Sequence, residues 1–120
     1  MEPERKRRGR IGEELASRFL ELQGCSILER NARWADVEVD LVARHGSCLL
    51  LVEVKLRQRS WAGAAAAVRP RQGRRLVRAA RALLSRHAWA QTLRIDVVAI
   101  DWHPQDGALY LRHLRGALAE

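Results

Sequence analysis

Leu49-Leu50-Leu51-Val52-Glu53-Val54-Lys55 decides how this chain is read. An apolar run of that length without Gly or Pro has the profile of a central strand, yet two charges interrupt its C-terminal end, and burying them needs a reason. Side chains alternate along a strand, so Glu53 and Lys55 share a face. Just upstream, Asp36 to Arg44 alternates Val37, Val39 and Leu41 against Glu38 and Asp40, the pattern of a second strand. The link Arg44-His45-Gly46-Ser47 has turn chemistry and predicts a hairpin. If its loop is even in length, Glu38, Asp40, Glu53 and Lys55 converge on one face. A loop odd in length sends the two pairs to opposite faces.

Several carboxylates beside one ammonium suit a hard divalent cation acting on a phosphodiester. The carboxylates hold the metal, which lowers the pKa of a bound water and stabilises developing negative charge, while the lysine positions or activates that water. The same residues also fit a plain ion-pair cluster on a solvated sheet face. The pattern alone leaves both readings open.

Around the hairpin, Gly9 to Gly24 has helical periodicity, with Ile11, Leu15, Phe19 and Leu22 on one face, widened by Ala16 and Leu20, and Gly24 as a stop. Met1 to Arg8 carries no apolar period and reads as a flexible basic arm. Ser26 to Asn31 is a short β-tending segment. Trp61 to Pro70 is Ala-rich and leads into a second helix, about Arg71 to Ala88. Strands over Thr92 to Asp101 and Ala108 to Leu114 flank a turn at Pro104 to Gly107. Helix, three strands, helix and two strands imply an α/β domain, one mixed sheet with helices packed on it.

At 120 residues the chain has the size of a single domain, assigned to residues 9–120 behind the arm. The formal charge of +8 and pI near 11.1 favour an anionic partner. No apolar stretch is long enough to span a bilayer, and the charged N-terminus lacks the apolar core of a signal peptide, so the expectation is a cytoplasmic protein. Cys25 and Cys48 read as buried thiols in a reducing compartment. The four histidines lack ligand spacing, which argues against a His/Cys metal site.

Asp40 followed after a gap by Glu53-Val54-Lys55 resembles the PD-(D/E)xK nuclease signature. More closely, Gly9-Arg10-Ile11-Gly12-Glu13-Glu14-Leu15-Ala16, Arg30-Asn31, Glu38-Val39-Asp40-Leu41-Val42-Ala43 and Val52-Glu53-Val54-Lys55 resemble the bacterial UPF0102 (YraN-like) family. The resemblance continues through Arg74-Arg75-Leu76 and Arg94-Ile95-Asp96-Val97-Val98, covering most of residues 9–100. It implies a restriction-endonuclease-like fold akin to archaeal Holliday junction resolvases. By that resemblance Asp40 and Glu53 would ligate Mg2+ or Mn2+, the Val54 carbonyl would complete the inner shell, and Lys55 would orient the attacking water. Glu13 is a further catalytic candidate, because related resolvases bring a carboxylate from the first helix to the metal. Helical geometry agrees: Glu13 lies beside the Ala16 and Leu20 edge, whereas Glu14 points outward and can pair with Arg18. Glu13 in the first turn would also simply favour the helix dipole. Glu38 is a supporting candidate. Val37 stands where the family usually has Gly, Leu56 where a small hydroxyl residue is common, and Arg71 where Lys is frequent; none of these removes a metal ligand.

No Asp or Glu occurs between Glu53 and Asp96. Arg57 falls in that interval, and on the second helix Arg71, Arg74, Arg78 and Arg81 form a stripe opposite Leu76, Ala80, Leu83 and Leu84. Such a stripe suits a phosphate backbone, with strong salt dependence and little sequence specificity; it is also what a soluble Arg-rich helix would show. Trp34 and Trp61 are placed to stack on an unpaired base, while Trp89 and Trp102 read as structural. The expectation is a metal-dependent endonuclease acting on branched or structured DNA rather than RNA. Cutting both strands would call for a homodimer. Three rivals remain: a non-catalytic nucleic-acid-binding adaptor of the same fold, a protein-interaction domain docking an acidic partner, and, last, a membrane-surface role.

Overall fold

The computed structural model describes residues 1–34, 36–58 and 70–117, and within these the side chains of Trp34, Pro70, Arg71 and Gln72 are not described. The elements run α1 (Glu4–Leu22), β1 (Ser26–Trp34), β2 (Val37–His45), β3 (Cys48–Gln58), α2 (Pro70–Leu84), β4 (Thr92–His103) and β5 (Ala108–Leu114). The sheet has five strands in the order β1-β2-β3-β4-β5. β1, β2 and β3 form an antiparallel meander, β4 joins β3 in parallel, and β5 returns antiparallel to β4. A parallel neighbour requires a crossover, and α2 lies within it. The expected α/β class with a mixed, helix-flanked sheet is therefore present, and it is consistent with a restriction-endonuclease-like fold.

The two faces of β3 separate the core. Leu49 and Leu51 pack with Val42, Ile95 and the α2 residues Leu76, Ala79, Ala80 and Leu83. Leu50 and Val52 pack with Leu41, Ala43, Val98, Ile100 and the α1 residues Ala16 and Leu20. Burial on both sides explains the continuous apolar run in β3, whose ladder to β4 extends from Cys48↔Thr92 to Gln58↔Trp102. Gln91 and Thr92 both donate backbone N–H groups to the Ser47 carbonyl, so α2 returns the chain to the turn end of the β2–β3 hairpin. The other end of β3, with Lys55 and Arg57, is the end from which the crossover leaves.

Helix α1 departs from expectation in two ways. It begins at Glu4, so Glu4 to Arg8 are helical rather than an arm. Glu4 pairs with Arg7 and Arg8 one turn on, at 2.9 and 3.2 Å, the spacing that supports an exposed helical turn. Its buried face is Gly12, Ala16, Ser17 and Leu20, not the Ile11-Leu15-Phe19-Leu22 stripe. Ile11 and Leu15 are 38% and 37% exposed and Leu22 is 86% exposed. The reason is the closeness of approach: a Cβ at Gly12 would meet Leu56 Cβ at 3.3 Å, so small residues occupy the contact and larger ones are displaced to the rim. Past Leu22 the chain reverses as Cys25 N–H bonds Leu20 O and Gly24 N–H bonds Glu21 O, with Gly24 at φ 94°, fulfilling the expected glycine stop.

Elsewhere β1 runs on to Trp34, and α2 ends at Leu84 rather than near Ala88. No described helix is long and apolar enough to cross a membrane.

Candidate active site at the β2–β3 divergence

The β2–β3 hairpin turns through Gly46-Ser47, with His45 opposite Cys48, so its loop is even in length. The pairing continues to Leu41↔Val52 and stops there. The Val54 N–H, which points to the β2 side, then lacks a strand acceptor, and the Asp40 carboxylate Oδ2 takes it at 2.8 Å. Because a strand residue directs its N–H and C=O to the same edge, the Val54 carbonyl also faces this opening.

Asp40 stands where the alternation of β2 slips. Val39 and Val42 both pack in the α2-side cluster, although strict alternation would separate them. Leu41 packs on the α1 side. Glu38, between buried Val37 and Val39, is consequently exposed on the side away from the α2 core, instead of sharing the Glu53 face. The expectation of a single shared face is corrected for Glu38 alone, and even there its charge still acts on Glu53 as well as on Glu13.

Glu53 follows Leu49 and Leu51 on the α2-facing side and is only 5% exposed. Its carboxyl is pushed up to about 8, first by burial and then by the charge of Asp40 and a side-chain hydrogen bond to it; nearby Lys55 opposes the shift. Lys55, half-buried, follows on the same face.

Glu13 comes from α1, and burial raises its pKa, with Asp40 and Glu38 adding to the shift. Asn31 opposes it. With its amide oriented to satisfy both groups, Asn31 donates from nitrogen to Glu13 Oε1 at 3.2 Å and to Glu38 Oε1 at 3.1 Å. Asn31 can reach both because it sits at φ 51° in β1, a left-handed conformation Asn tolerates better than most residues. Next to it, Arg30 Nη1 bonds Ser17 Oγ at 2.7 Å and Glu14 Oε2 at 3.2 Å, tying β1 to α1. Glu14 also pairs with Arg18, at 2.9 Å. Sequence reasoning placed Arg30-Asn31 in a motif but gave neither a site role; only the unusual backbone explains why the amide matters.

The carboxylates therefore stand as neighbours, Asp40 hydrogen-bonded with Glu53 and Glu13 joined to Glu38 through Asn31, with Asp40 and Glu38 each acting electrostatically on both Glu13 and Glu53. Among the described residues no three or more His, Cys, Asp or Glu side chains stand together as a ready-made metal cage. The donor chemistry of the Asp40–Glu53 pair nevertheless fits Mg2+ or Mn2+: the donors are all oxygen, Glu53 is buried and Asp40 half-buried, and Lys55 is the one cation acting on Glu53 among the described residues. Mg2+ is commonly held through one or two carboxylates, with waters and substrate phosphates filling the remaining positions.

On α2, Arg74, Arg78 and Arg81 are exposed while Leu76, Ala79, Ala80 and Leu83 are buried, as the stripe requires. Arg57 is exposed beyond Lys55. The Arg71 side chain, the Trp34 side chain and Trp61 lie outside the described residues. Trp89 packs against the α2-side core with Arg44 over its ring at 4.2 Å, in keeping with a structural role.

A second buried carboxylate lies away from this site. Asp96 in β4 is fully buried and accepts from Arg94 at 2.9 and 3.0 Å, from the Gly116 N–H at 2.9 Å, and lies 2.8 Å from His113 Nε2. Burial pushes its pKa up, but these partners outweigh it and hold the carboxyl below its ordinary value. It anchors the end of β5 to the sheet.

The model of "Uncharacterised protein family UPF0102" matches residues 12–100 of the chain. A UPF0102 protein of Herminiimonas arsenicoxydans is 43% identical over 94 residues, covering 78% of this chain and 76% of the relative. One from Frankia alni is 44% identical over 111 residues, 91% and 92% of the two chains. One from Beutenbergia cavernae is 44% identical over 110 residues, 90% and 92%. With the matched region holding α1 from Gly12, the meander, α2 and most of β4, and with every residue of the Asp40–Glu53–Lys55 cluster inside it, the chain belongs to the UPF0102 family.

Proposed function

We propose that this protein is a metal-assisted endonuclease that binds DNA, branched or otherwise structured, and hydrolyses its phosphodiesters. The observation that carries the reading is the meeting of Asp40, Glu53 and Lys55 where β2 leaves β3, with burial first and the neighbouring Asp40 second pushing Glu53 up to about 8. Two acids forced together beside a lysine, at an opening between strands, are costly for a fold and useful for holding a cation against an anionic substrate.

In this reading Asp40 and Glu53 would hold the metal, Mg2+ or Mn2+, with the Val54 carbonyl as a further oxygen donor. Bound there, the ion would supply Lewis acidity and a more acidic water. Lys55 orients the attacking water and offsets charge on the phosphate. Glu13 and Glu38, linked through Asn31, keep a second acidic edge beside Asp40 and would order outer-shell water. Arg74, Arg78 and Arg81 bind the phosphate backbone from α2, Arg71 with them, and Arg57 from β3. Cutting both strands of a branch with one such site per chain requires two copies, hence a homodimer on the substrate.

The test is cleavage of labelled single-stranded, duplex, flap and four-way-junction DNA with Mg2+ or Mn2+, comparing wild type with Asp40→Asn and Lys55→Ala. Cleavage lost in both variants supports the reading. Cleavage unchanged in both sinks it, and binding without cleavage under every condition replaces it with a non-catalytic adaptor of the same fold.

A further inference from the structure

On the β5 side of α1, the residues displaced from the helix–sheet contact line a groove. Ile11, Leu15 and Leu109 remain partly exposed there, at 38%, 37% and 48%, against Leu56 and Trp102. This hollow of about 220 Å³ adjoins a second of about 380 Å³ at the end of β3; the two share Glu4, Arg8, Leu56 and Trp102. Among the described residues their rim carries Arg5, Arg7, Arg8 and Arg57 against the one acid Glu4, whose charge is already engaged by Arg7 and Arg8.

Arg8 is held in place before any ligand arrives. Its guanidinium lies over the Trp102 ring, 5.0 Å from the centroid. Nη1 donates to Gln58 Oε1 at 3.2 Å and Nε to Glu4 Oε1 at 3.2 Å. A guanidinium stacked on an indole offers a flat, cationic outer surface whose side-chain entropy is already spent, and such planes accept nucleobases. The groove thus joins flat stacking surface, apolar walls and guanidinium groups, the combination that recognises single-stranded nucleic acid. An acidic peptide would use the arginines but leave the apolar walls and the stacked pair without a counterpart.

Resting on the nucleic-acid reading above, we propose that this groove holds a single-stranded segment of the substrate, with one base stacked on the Arg8–Trp102 pair and its phosphates against Arg5 and Arg57. Trp102, expected from the sequence to be purely structural, then forms part of a binding subsite. β3 carries Glu53 and Lys55 on its α2-facing side and Leu56 on its α1-facing side, so the subsite lies around the end of β3 from the proposed reaction centre. That placement favours substrates in which an unpaired strand leaves a duplex.

The test compares a short single-stranded oligonucleotide with a blunt duplex of the same sequence by fluorescence anisotropy at low salt, using wild type, Trp102→Leu and the α2 variant Arg78→Ala. Trp102→Leu is expected to weaken single-strand binding by about five-fold or more, the lower range for losing one stacked base, while duplex binding changes little. Arg78→Ala should weaken the duplex. In parallel, a single strand containing 5-bromouracil is photo-crosslinked to the wild-type protein, which needs no variant to fold, and the crosslink should map to the peptide containing Trp102. A crosslink elsewhere, equal effects of Trp102→Leu on both ligands, or displacement of the single strand by polyglutamate of equal charge would overturn the groove assignment and leave the hydrolase reading standing. If neither oligonucleotide binds, both fall together.

Discussion

Asp40 accepts the Val54 backbone N–H at 2.8 Å, one step beyond the last β2–β3 rung at Leu41↔Val52. A carboxylate has replaced a strand carbonyl as the acceptor, so the residue that ends the ladder is also the one that faces Glu53. Structural and chemical duties meet on one side chain, and substitutions at Asp40 should separate them.

Asp40→Asn keeps an acceptor oxygen for Val54 and removes the charge opposing Glu53, so its melting temperature should equal or exceed that of wild type. Asp40→Ala leaves a partly buried N–H unpaired and should cost about 1–3 kcal/mol. Both should reduce metal-dependent cleavage by more than the roughly 10–100-fold typical of losing an outer-shell partner. Thermal melts and single-turnover cleavage of the same preparations check this. Equal stability of the Ala and Asn variants would show that the Val54 contact contributes nothing.

Glu53 gives stability a pH dependence of definite sign. Its folded pKa, about 8, lies above the ordinary 4.5, so the folded protein binds more protons than the unfolded chain between those values. Stability without metal should therefore fall as pH rises from about 5 to 8, by a few kcal/mol at most. Glu53→Gln, which stays neutral, should lose that slope and melt above wild type at pH 8. Parallel melting curves for the two proteins across this range would refute the assignment.

Much of this site was legible in the chain because strand alternation and a two-residue turn are local properties: Leu41 to His45 and Cys48 to Val52 pair as their spacing predicts. Three features were not. The α1 stripe of Ile11 and Leu15 is apolar enough to be buried, but its placement depends on how closely the helix approaches Leu56, a property of the pair of elements. The slip of β2 at Asp40, which turns Glu38 toward Glu13, has no composition signal. Asn31 at φ 51° reads as an ordinary strand residue until its backbone is known. Asp96 was visible only as part of a motif, since the partners that justify its burial come from Arg94, His113 and Gly116.

Gly12 should be sensitive to size. A Cβ there already meets Leu56 Cβ at 3.3 Å, and Val54 Cγ1 lies 3.7 Å away. Gly12→Val must push α1 off the sheet, at about 1–3 kcal/mol for overpacking. Because Glu13 is the next residue, the same shift should lower activity beyond the loss of folded protein. Normal turnover per folded molecule would show that Glu13 tolerates displacement.

Asp96 predicts a stability effect without an active-site effect. Asp96→Ala strands Arg94 and leaves the Gly116 N–H unpaired, a loss of about 3–5 kcal/mol for breaking a buried charged pair. The lowered Asp96 pKa means that its contribution is present above the ordinary carboxylate range and is lost as pH falls through the folded value, so wild type and variant should converge in acid. Urea denaturation at neutral and acidic pH measures the gap; a gap independent of pH would remove the charge from the explanation.

The α2 stripe is tested by its salt dependence. Arg74 and Arg78 are exposed on the face opposite Leu76 and Leu83, where removing a guanidinium creates no cavity and should leave the unfolding free energy within about 0.5 kcal/mol of wild type. If each contacts a phosphate, Arg74→Ala and Arg78→Ala should each weaken binding similarly across DNA sequences. Each should also reduce the slope of log affinity against log salt by about 1. A changed affinity with an unchanged slope would mean that the arginine acts through another group, and an unchanged affinity in the double variant would remove α2 from the interface and leave Arg57 and the α1 groove as the basic surface in contact with the strand.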